Sequence, residues 1–326
     1  ALPAAPTGAS CPVPAPPPNP NMTWVRAATA AASPPARAAH AMVYDAARQR
    51  VVLFGGQWDS TFGDTWEWDG TRWRQIRPVT SPPPRSRHGM AYDAARRRVV
   101  LFGGIGSYGA GRLTDTWEYD GSTWVQRQPA VAPGGQYFHV RHMWYDSVAG
   151  SVRLLWESPD VDELWEWNGE NWRRVTVAAL AGTNPVVFLA AAERSFMAYA
   201  FDTRRGRLHM HGGRISFLRH LSDLWEFDGS AWRAISPGSE APDRSSHAMA
   251  FDPDRGVMVL FGGTAPLGPE RQPTNETWEW DGSRWVRVRP RVSPPAAEYP
   301  AMVYDAARRE MVMFHRDTWV YRRDGP

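Results

Sequence analysis

The chain alternates short apolar runs with polar turns, and one stretch shows the pattern well: Asp64-Thr65-Trp66-Glu67-Trp68-Asp69-Gly70-Thr71-Arg72-Trp73. Trp66 and Trp68 fall on one face of an extended strand and Glu67 on the other, because strand side chains alternate with period two. Asp69-Gly70 is a favoured turn pair and Trp73 opens the return strand, so the stretch predicts a β-hairpin. Near copies stand at Trp117 to Trp124, Trp165 to Trp172, Trp225 to Trp232 and Trp278 to Trp285. A second pattern precedes each hairpin. In its first instance Ala41-Met42-Val43-Tyr44-Asp45 leads through a turn to Val51-Val52-Leu53-Phe54-Gly55-Gly56, two strands that complete a four-stranded unit with the hairpin.

The Asp closing the first strand recurs as Asp45, Asp93, Asp146, Asp202, Asp252 and Asp305, at spacings of 48, 53, 56, 50 and 53 residues. With a diglycine closing the second strand in most units, this repeat resembles the Kelch β-propeller from Trp24 to Tyr321. The resemblance implies an all-β fold, a six-bladed propeller of four-stranded antiparallel blades. The chain ends agree with it. Repeat six runs through Met311-Val312-Met313-Phe314 and Asp317-Thr318-Trp319-Val320-Tyr321 and stops without a fourth strand, while Met22-Thr23-Trp24-Val25-Arg26 has the form of that strand. The N-terminal segment is therefore expected to close the ring as the outer strand of blade six, which removes open sheet edges. Residues 22–326 form one propeller in this reading, behind a Pro/Ala-rich leader or linker over residues 1–21. That leader suggests a secreted, periplasmic or cell-surface protein.

Parity along the first strand predicts the packing. One and three residues before each Asp stand large side chains, as in Tyr44 and Met42 or Phe251 and Met249. The intervening positions are mostly small, as in Val43 and Ala41 or Ala250 and Ala248. Large faces are expected to pack on the small face of the next blade, each buried Met or Tyr contributing roughly 1.5–3 kcal/mol.

Composition narrows the partners. The formal charge of +3 is spread over interspersed Arg and acidic residues without a block of one sign, which gives no footprint for nucleic acid. No apolar run reaches the length of a membrane helix. The single cysteine, Cys11, excludes an intrachain disulfide and a cysteine metal site, and a monomer is expected. It also lies far from any tyrosine of the repeats, which disfavours the Cys–Tyr cofactor of galactose oxidase, a copper enzyme on a similar propeller.

Loop lengths divide the two faces of the disc. From Asp to second strand the count is always six residues, and from Trp to Trp always seven, so one face is uniform. On the other face the step from diglycine to hairpin Trp varies: ten (Gly56 to Trp66), thirteen (Gly104 to Trp117), twelve (Gly213 to Trp225) and fifteen (Gly263 to Trp278). It shrinks to eight from Glu157 to Trp165 and to three from Arg316 to Trp319. The connection from Trp172 to Asp202 takes 30 residues where the others take 20 to 22, and its extra residues, 178–188, predict a lid-like insertion. Variable loops on a rigid scaffold are where binding and catalysis concentrate.

Repeats three and four depart from the pattern. Repeat three has Trp156-Glu157 in place of the diglycine, His142 and Trp144 at small positions, and Tyr137, Phe138, His139 and Arg141 at the mouth of its first strand. Repeat four has His209 and His211 on its second strand, followed by Arg214. One reading is a polar pocket between these blades, with Glu157 as acid or base, His139 or His211 as its partner, and Arg141 and Arg214 fixing an anion or hydroxyl groups. The other is substitution within the packing, with Trp156 filling the space of glycine and the histidines replacing Val and Phe. His209 and His211 share a strand face and would suit an N/O metal site with Glu157; no cofactor is otherwise called for.

Arg37, Arg85, Arg194 and Arg244 stand three residues before His40, His88, Met197 and His247. A ring of Arg at the pore mouth would bind acidic ligands; repetition across blades equally marks a structural role. Trp58, Tyr108, Tyr137 and Tyr299 are candidates for stacking on sugars, and His315 closes the second strand of repeat six beside them. Three functions stay open. The first is a ligand-binding propeller that takes a glycan, small molecule or protein in the variable-face cup. The second is an enzyme on a small polar or sugar-like substrate at blades three and four. The third is an interaction module without a pocket.

Overall fold

The structure is a computed structural model that describes residues 21–27, 33–107, 110–134, 140–156, 163–176, 194–215, 219–235, 242–267 and 270–324. Six antiparallel sheets are arranged as blades, and the first five hydrogen-bond their blade strands in chain order. The innermost strands are Ala41–Asp45, Gly89–Asp93, Val140–Asp146, Ala198–Asp202, Ala248–Asp252 and Ala301–Asp305. Met22–Arg26 pairs antiparallel with Thr318–Arg323, Trp24 opposite Tyr321, so the N-terminal strand completes blade six as its sequence predicts. Residues 1–20, the body of the expected leader, lie outside the described residues, as does the expected lid insertion.

Each repeated turn is held by its own carboxylate. Asp45 Oδ1 accepts the Arg48 amide at 3.0 Å, and Asp93, Asp146, Asp202, Asp252 and Asp305 accept equivalent amides. In the Trp hairpin Asp69 Oδ1 accepts the amides of Thr71 and Arg72, both at 2.9 Å, while Gly70 takes a φ of 95° that an L side chain adopts only with strain. These local bonds fix the short turns and make one face of the disc uniform.

Six hydrophobic clusters lie between the six pairs of neighbouring blades. Trp66, Trp68 and Met42 of blade one meet Val312, Phe314 and Val320 of blade six, while Val43, Val52 and Phe54 on its opposite face meet Met90, Leu101 and Trp117 of blade two. Each large face therefore packs on the small face of the preceding blade, not the next one. Alternation assigns residues to faces, but it carries no information about the direction in which the chain circles the axis.

The variable face has walls of unequal height. In blade two the second and third strands extend to Arg98–Gly106 and Arg112–Tyr119, and blade five adds a hairpin of Thr264–Leu267 and Glu270–Pro273. Blade six turns within His315–Asp317 and leaves a gap in the rim beside blade one.

Candidate functional site

Just before the first strand, six residues ahead of the anchor Asp, five blades bend the backbone into the left-handed region. The residues are Ala39, Arg87, Phe196, Ser246 and Tyr299, with φ between 55° and 62°. None is glycine, although this conformation favours glycine, so each bend carries backbone strain. The bend passes a hydrogen bond from blade to blade: the Arg87 amide donates to Ala39 O (2.9 Å), Ser246 to Phe196 O (2.9 Å) and Tyr299 to Ser246 O (2.8 Å).

Three of these side chains meet across the axis. The Arg87 guanidinium carbon lies 5.4 Å from the centroid of the Phe196 ring, and Phe196 meets Tyr299 edge to face at 5.5 Å. They belong to blades two, four and six, which are not neighbours, so the contacts span the mouth of the central channel. Arg214 adds a second guanidinium, 4.5 Å from the Phe196 ring. Arg87 is exposed and forms no ion pair among the described residues.

Two cavities share this cap. A chamber of about 550 Å³ lies on the axis beneath it, lined by His40, His88, His142 and His247 and, three residues before the anchor Asp, by Met42, Met90, Met143, Met249 and Met302 with Tyr199 in the sixth place. A second cleft of about 270 Å³ lies outside it, lined by Gln57, Trp58 and Asp59 together with Arg87 and Tyr299. Trp58 is 45% exposed at this cleft and is flanked by the His315 ring at 5.9 Å and the Arg316 guanidinium at 5.1 Å. The low wall of blade six opens this side of the mouth.

The chamber histidines are neutral. Burial, reinforced by Arg85, holds His88 down at about 3, burial alone does the same for His142, and His40 and His247 are lowered by burial and by charged neighbours. His315 is lowered as well, first by burial and then by Arg316.

The recurring arginines serve the blades. Arg37 and Arg85 are fully buried and bidentate on Asp64 and Asp115, Arg194 is bidentate on Asp223, and Arg244 pairs with Glu276. Each of these carboxylates also accepts the indole N–H of a hairpin Trp: Trp66, Trp117, Trp225 and Trp278. The expected ligand contacts of Arg85, Arg194 and Arg244 are thus occupied by blade-holding pairs, and the cation that faces the cup is Arg87, two residues further on.

The expected pocket of blades three and four is not assembled among the described residues. His211 lies on the other side of blade four, its Nδ1 3.1 Å from His247 Nε2 and its ring 4.9 Å from Trp285 of blade five. His209 is buried against Glu226 of its own blade at 3.4 Å, and this contact is the main reason that carboxyl is held at about 2. His142 is stacked between blades, 4.9 Å from Tyr199 with an interplanar angle of 13°. No group of three or more His, Cys, Asp or Glu among the described residues is placed to hold a metal ion. Tyr108, Tyr137, His139 and Glu157, and the side chain of Arg141, lie outside the described residues. Of the expected residues, the structure brings Arg214, Tyr299, Trp58 and His315 to one mouth. Arg87 and Phe196 were missed, although they stand in the least repetitive column of an otherwise repetitive sequence.

Comparison with known proteins accords with the architecture. Residues 19–149 match the KLHDC2/KLHL20/DRC7 Kelch-repeats domain. A solved structure of YjhT superposes with a TM-score of 0.63 at 12% identity, covering 88% of this chain and 94% of that one. A search of the curated proteins returned no match. No helix among the described residues is long and apolar enough to cross a membrane. The chain is a six-bladed β-propeller of four-stranded antiparallel blades, and its residues 19–149 are similar to a Kelch-repeats domain.

Proposed function

We propose that the protein is a binding module that takes a glycan or a protein segment at the mouth of the cup on its variable-loop face. The observation that carries this reading is the strained cap, in which Arg87, Phe196 and Tyr299 from three non-adjacent blades meet over the axis. Strained backbone that presents bulky side chains clusters at ligand sites. Arg87 supplies a cation for an anionic group, and Tyr299 and the exposed Trp58 supply ring faces. The gap at blade six gives a chain-like ligand an approach from the rim.

Calorimetric titration with acidic and neutral oligosaccharides and with an acidic peptide tests the reading. Arg87→Ser and Trp58→Ala are expected to weaken the ligand that binds at least tenfold each, with the melting temperature nearly unchanged because both side chains are exposed. Binding that survives both substitutions, or that maps to the uniform face, would place the function elsewhere.

A further inference from the structure

The interface between blades four and five holds two histidines in direct contact. His211 Nδ1 lies 3.1 Å from His247 Nε2, and the buried rings meet edge to face with centroids 5.1 Å apart. At the equivalent places His40 packs on Phe314 and His88 on Phe54. Among the described residues, imidazole meets imidazole only between blades four and five. Neutral rings satisfy this contact when one nitrogen donates its N–H and the other accepts. A proton on the accepting nitrogen sets N–H against N–H, and the contact becomes repulsive.

The surroundings give an added charge little compensation. Arg194 and Arg244 stand beside the pair, engaged with Asp223 and Glu276. Asp223 and the Ser222 backbone favour a charged His211, but burial first and the two arginines after it hold the ring down at about 3. His247 is lowered by burial, then by His211 and Arg244. His209, on the same strand as His211, is taken by Glu226 at 3.4 Å. Arg244 has Arg287, Asp243 and His220 near it, and Arg287 shares Glu276 at 2.6 Å. From blade five the uncharged Trp285 ring packs on His211 at 4.9 Å.

This interface is also short of directional side-chain bonds. Four others carry an indole N–H bond from an outer-strand Trp to a Thr, whereas Trp285 packs with Leu224 and its nitrogen has no partner among the described residues. Backbone bonds join the two blades on the variable face. The Gly213 amide donates to Arg244 O (2.6 Å), Arg244 to Leu221 O (3.0 Å) and Ser246 to Phe196 O (2.9 Å). His247 follows Ser246 directly, and Phe196 is the central ring of the cap.

We propose that the His211–His247 pair is an acid-operated release for the binding mouth, in which protonation parts blades four and five and frees Phe196 from the cap. The proposal rests on the reading of the mouth as the binding end and names its regulation. Solvated rings take up protons from about pH 6.5 downward while the buried pair does not, so the two together favour opening by up to about a hundredfold per pH unit.

The test is residue-resolved amide exchange by NMR on the full ¹⁵N-labelled chain without ligand, from about pH 7 to about pH 5, corrected for intrinsic exchange. The amides of Gly213, Arg244 and Ser246 report on this interface. Those of Gly263 and Ala297, which donate to Ala297 O and Thr274 O, report on the interface of blades five and six, where Phe261 meets Trp24. Opening at the first three is expected to rise at least hundredfold over this range, and at the other two less than tenfold. His211→Phe, which leaves one ring, is expected to cut the rise at least tenfold. Equal rises at the two interfaces, a rise unchanged in His211→Phe, or a rise that spares Ser246 would overturn the proposal. Should the variant fail to fold, the wild-type comparison decides alone. Because the readout needs no ligand, a mouth that binds nothing in the titrations overturns the proposed function and leaves the acid opening standing.

Discussion

The interfaces of blades six, one, two and three, with that of five and six, share a hydrogen bond that the two interfaces flanking blade four lack. In the first group the outer-strand Trp donates its indole N–H to a third-strand Thr of the preceding blade: Trp73 to Thr318 (2.6 Å), Trp124 to Thr65 (3.0 Å), Trp172 to Thr116 (2.9 Å) and Trp24 to Thr277 (2.8 Å). Three of the four add a second bond, from Tyr119 to Glu67, Trp167 to Glu118 or Tyr321 to Glu279. In blades three and four that Thr is Leu164 and Leu224, and the Trp285 indole nitrogen finds no partner among the described residues. Ring contacts fill these interfaces instead, with His142 stacked on Tyr199 and Trp144 in one, and His211 edge to face with His247 and Trp285 in the other. A ring of blades tolerates the exchange because buried area holds neighbours together, while directional bonds set register. The exchange also leaves buried titratable rings where the regular interfaces have Phe or Ala.

The largest effect is expected at the arginines common to both regions. Arg85→Met leaves Asp115 half-buried and unpaired and should cost about 3–5 kcal/mol, measured by denaturant unfolding. Arg194→Met in blade four should cost less, because Asp223 is nearly twice as exposed as Asp115, and an equal cost would erase the distinction between the regions.

Acid should act mainly through the histidines. His88, His142 and His211 stay neutral in the fold down to about 3, whereas the unfolded chain takes up protons near 6.5, so acid favours unfolding. Stability is full above about pH 6.5 and declines as pH falls toward 3, by up to about 1.4 kcal/mol per pH unit for each such ring. His211→Phe, which restores the residue found at Phe54, Phe102, Phe261 and Phe314, should flatten this decline by about one proton in melts between pH 6.5 and 4.5. An unchanged slope would show that the His211 and His247 pair does not carry it.

A smaller effect reports the shared bond itself. Thr318→Val keeps the shape and leaves the buried Trp73 N–H unpaired, at a cost of about 1–3 kcal/mol. Leu224→Val, which breaks no such bond, should cost only its lost methylene, roughly 1 kcal/mol. The smallest is at the rim, where Trp58→Ala should change stability by no more than about 0.5 kcal/mol, because the ring is exposed.

The repeat, the hairpins, the uniform turns and the closing strand could be read from the chain because each rests on local rules: alternation, Asp-Gly turns and a count of residues between anchors. Trp24 closes blade six opposite Tyr321 as its position predicts, and Met42 and Trp66 lie on the large face of their blade. The candidate site did not follow in the same way. Arg85, Arg194 and Arg244 repeat conspicuously, and their carboxylate partners come from the strand beside them, 29 to 32 residues later in the chain. His211 was expected to face blade three and faces blade five, since one residue of parity decides which side of a sheet a ring occupies.

Sequence alone determined the six blades, the order of strands and which face of the disc varies, because hydrogen-bonded turns and two-residue alternation act over a few residues. Tertiary structure alone decided that Arg87, Phe196 and Tyr299 meet over the axis, that the rings of His40, His88 and His247 pack on Phe314, Phe54 and His211 of the preceding blades, and that each large face turns toward the preceding blade. The cap contacts join residues roughly a hundred positions apart in the chain. They exist only because the ring closes, and closure brings together side chains between which no local rule acts.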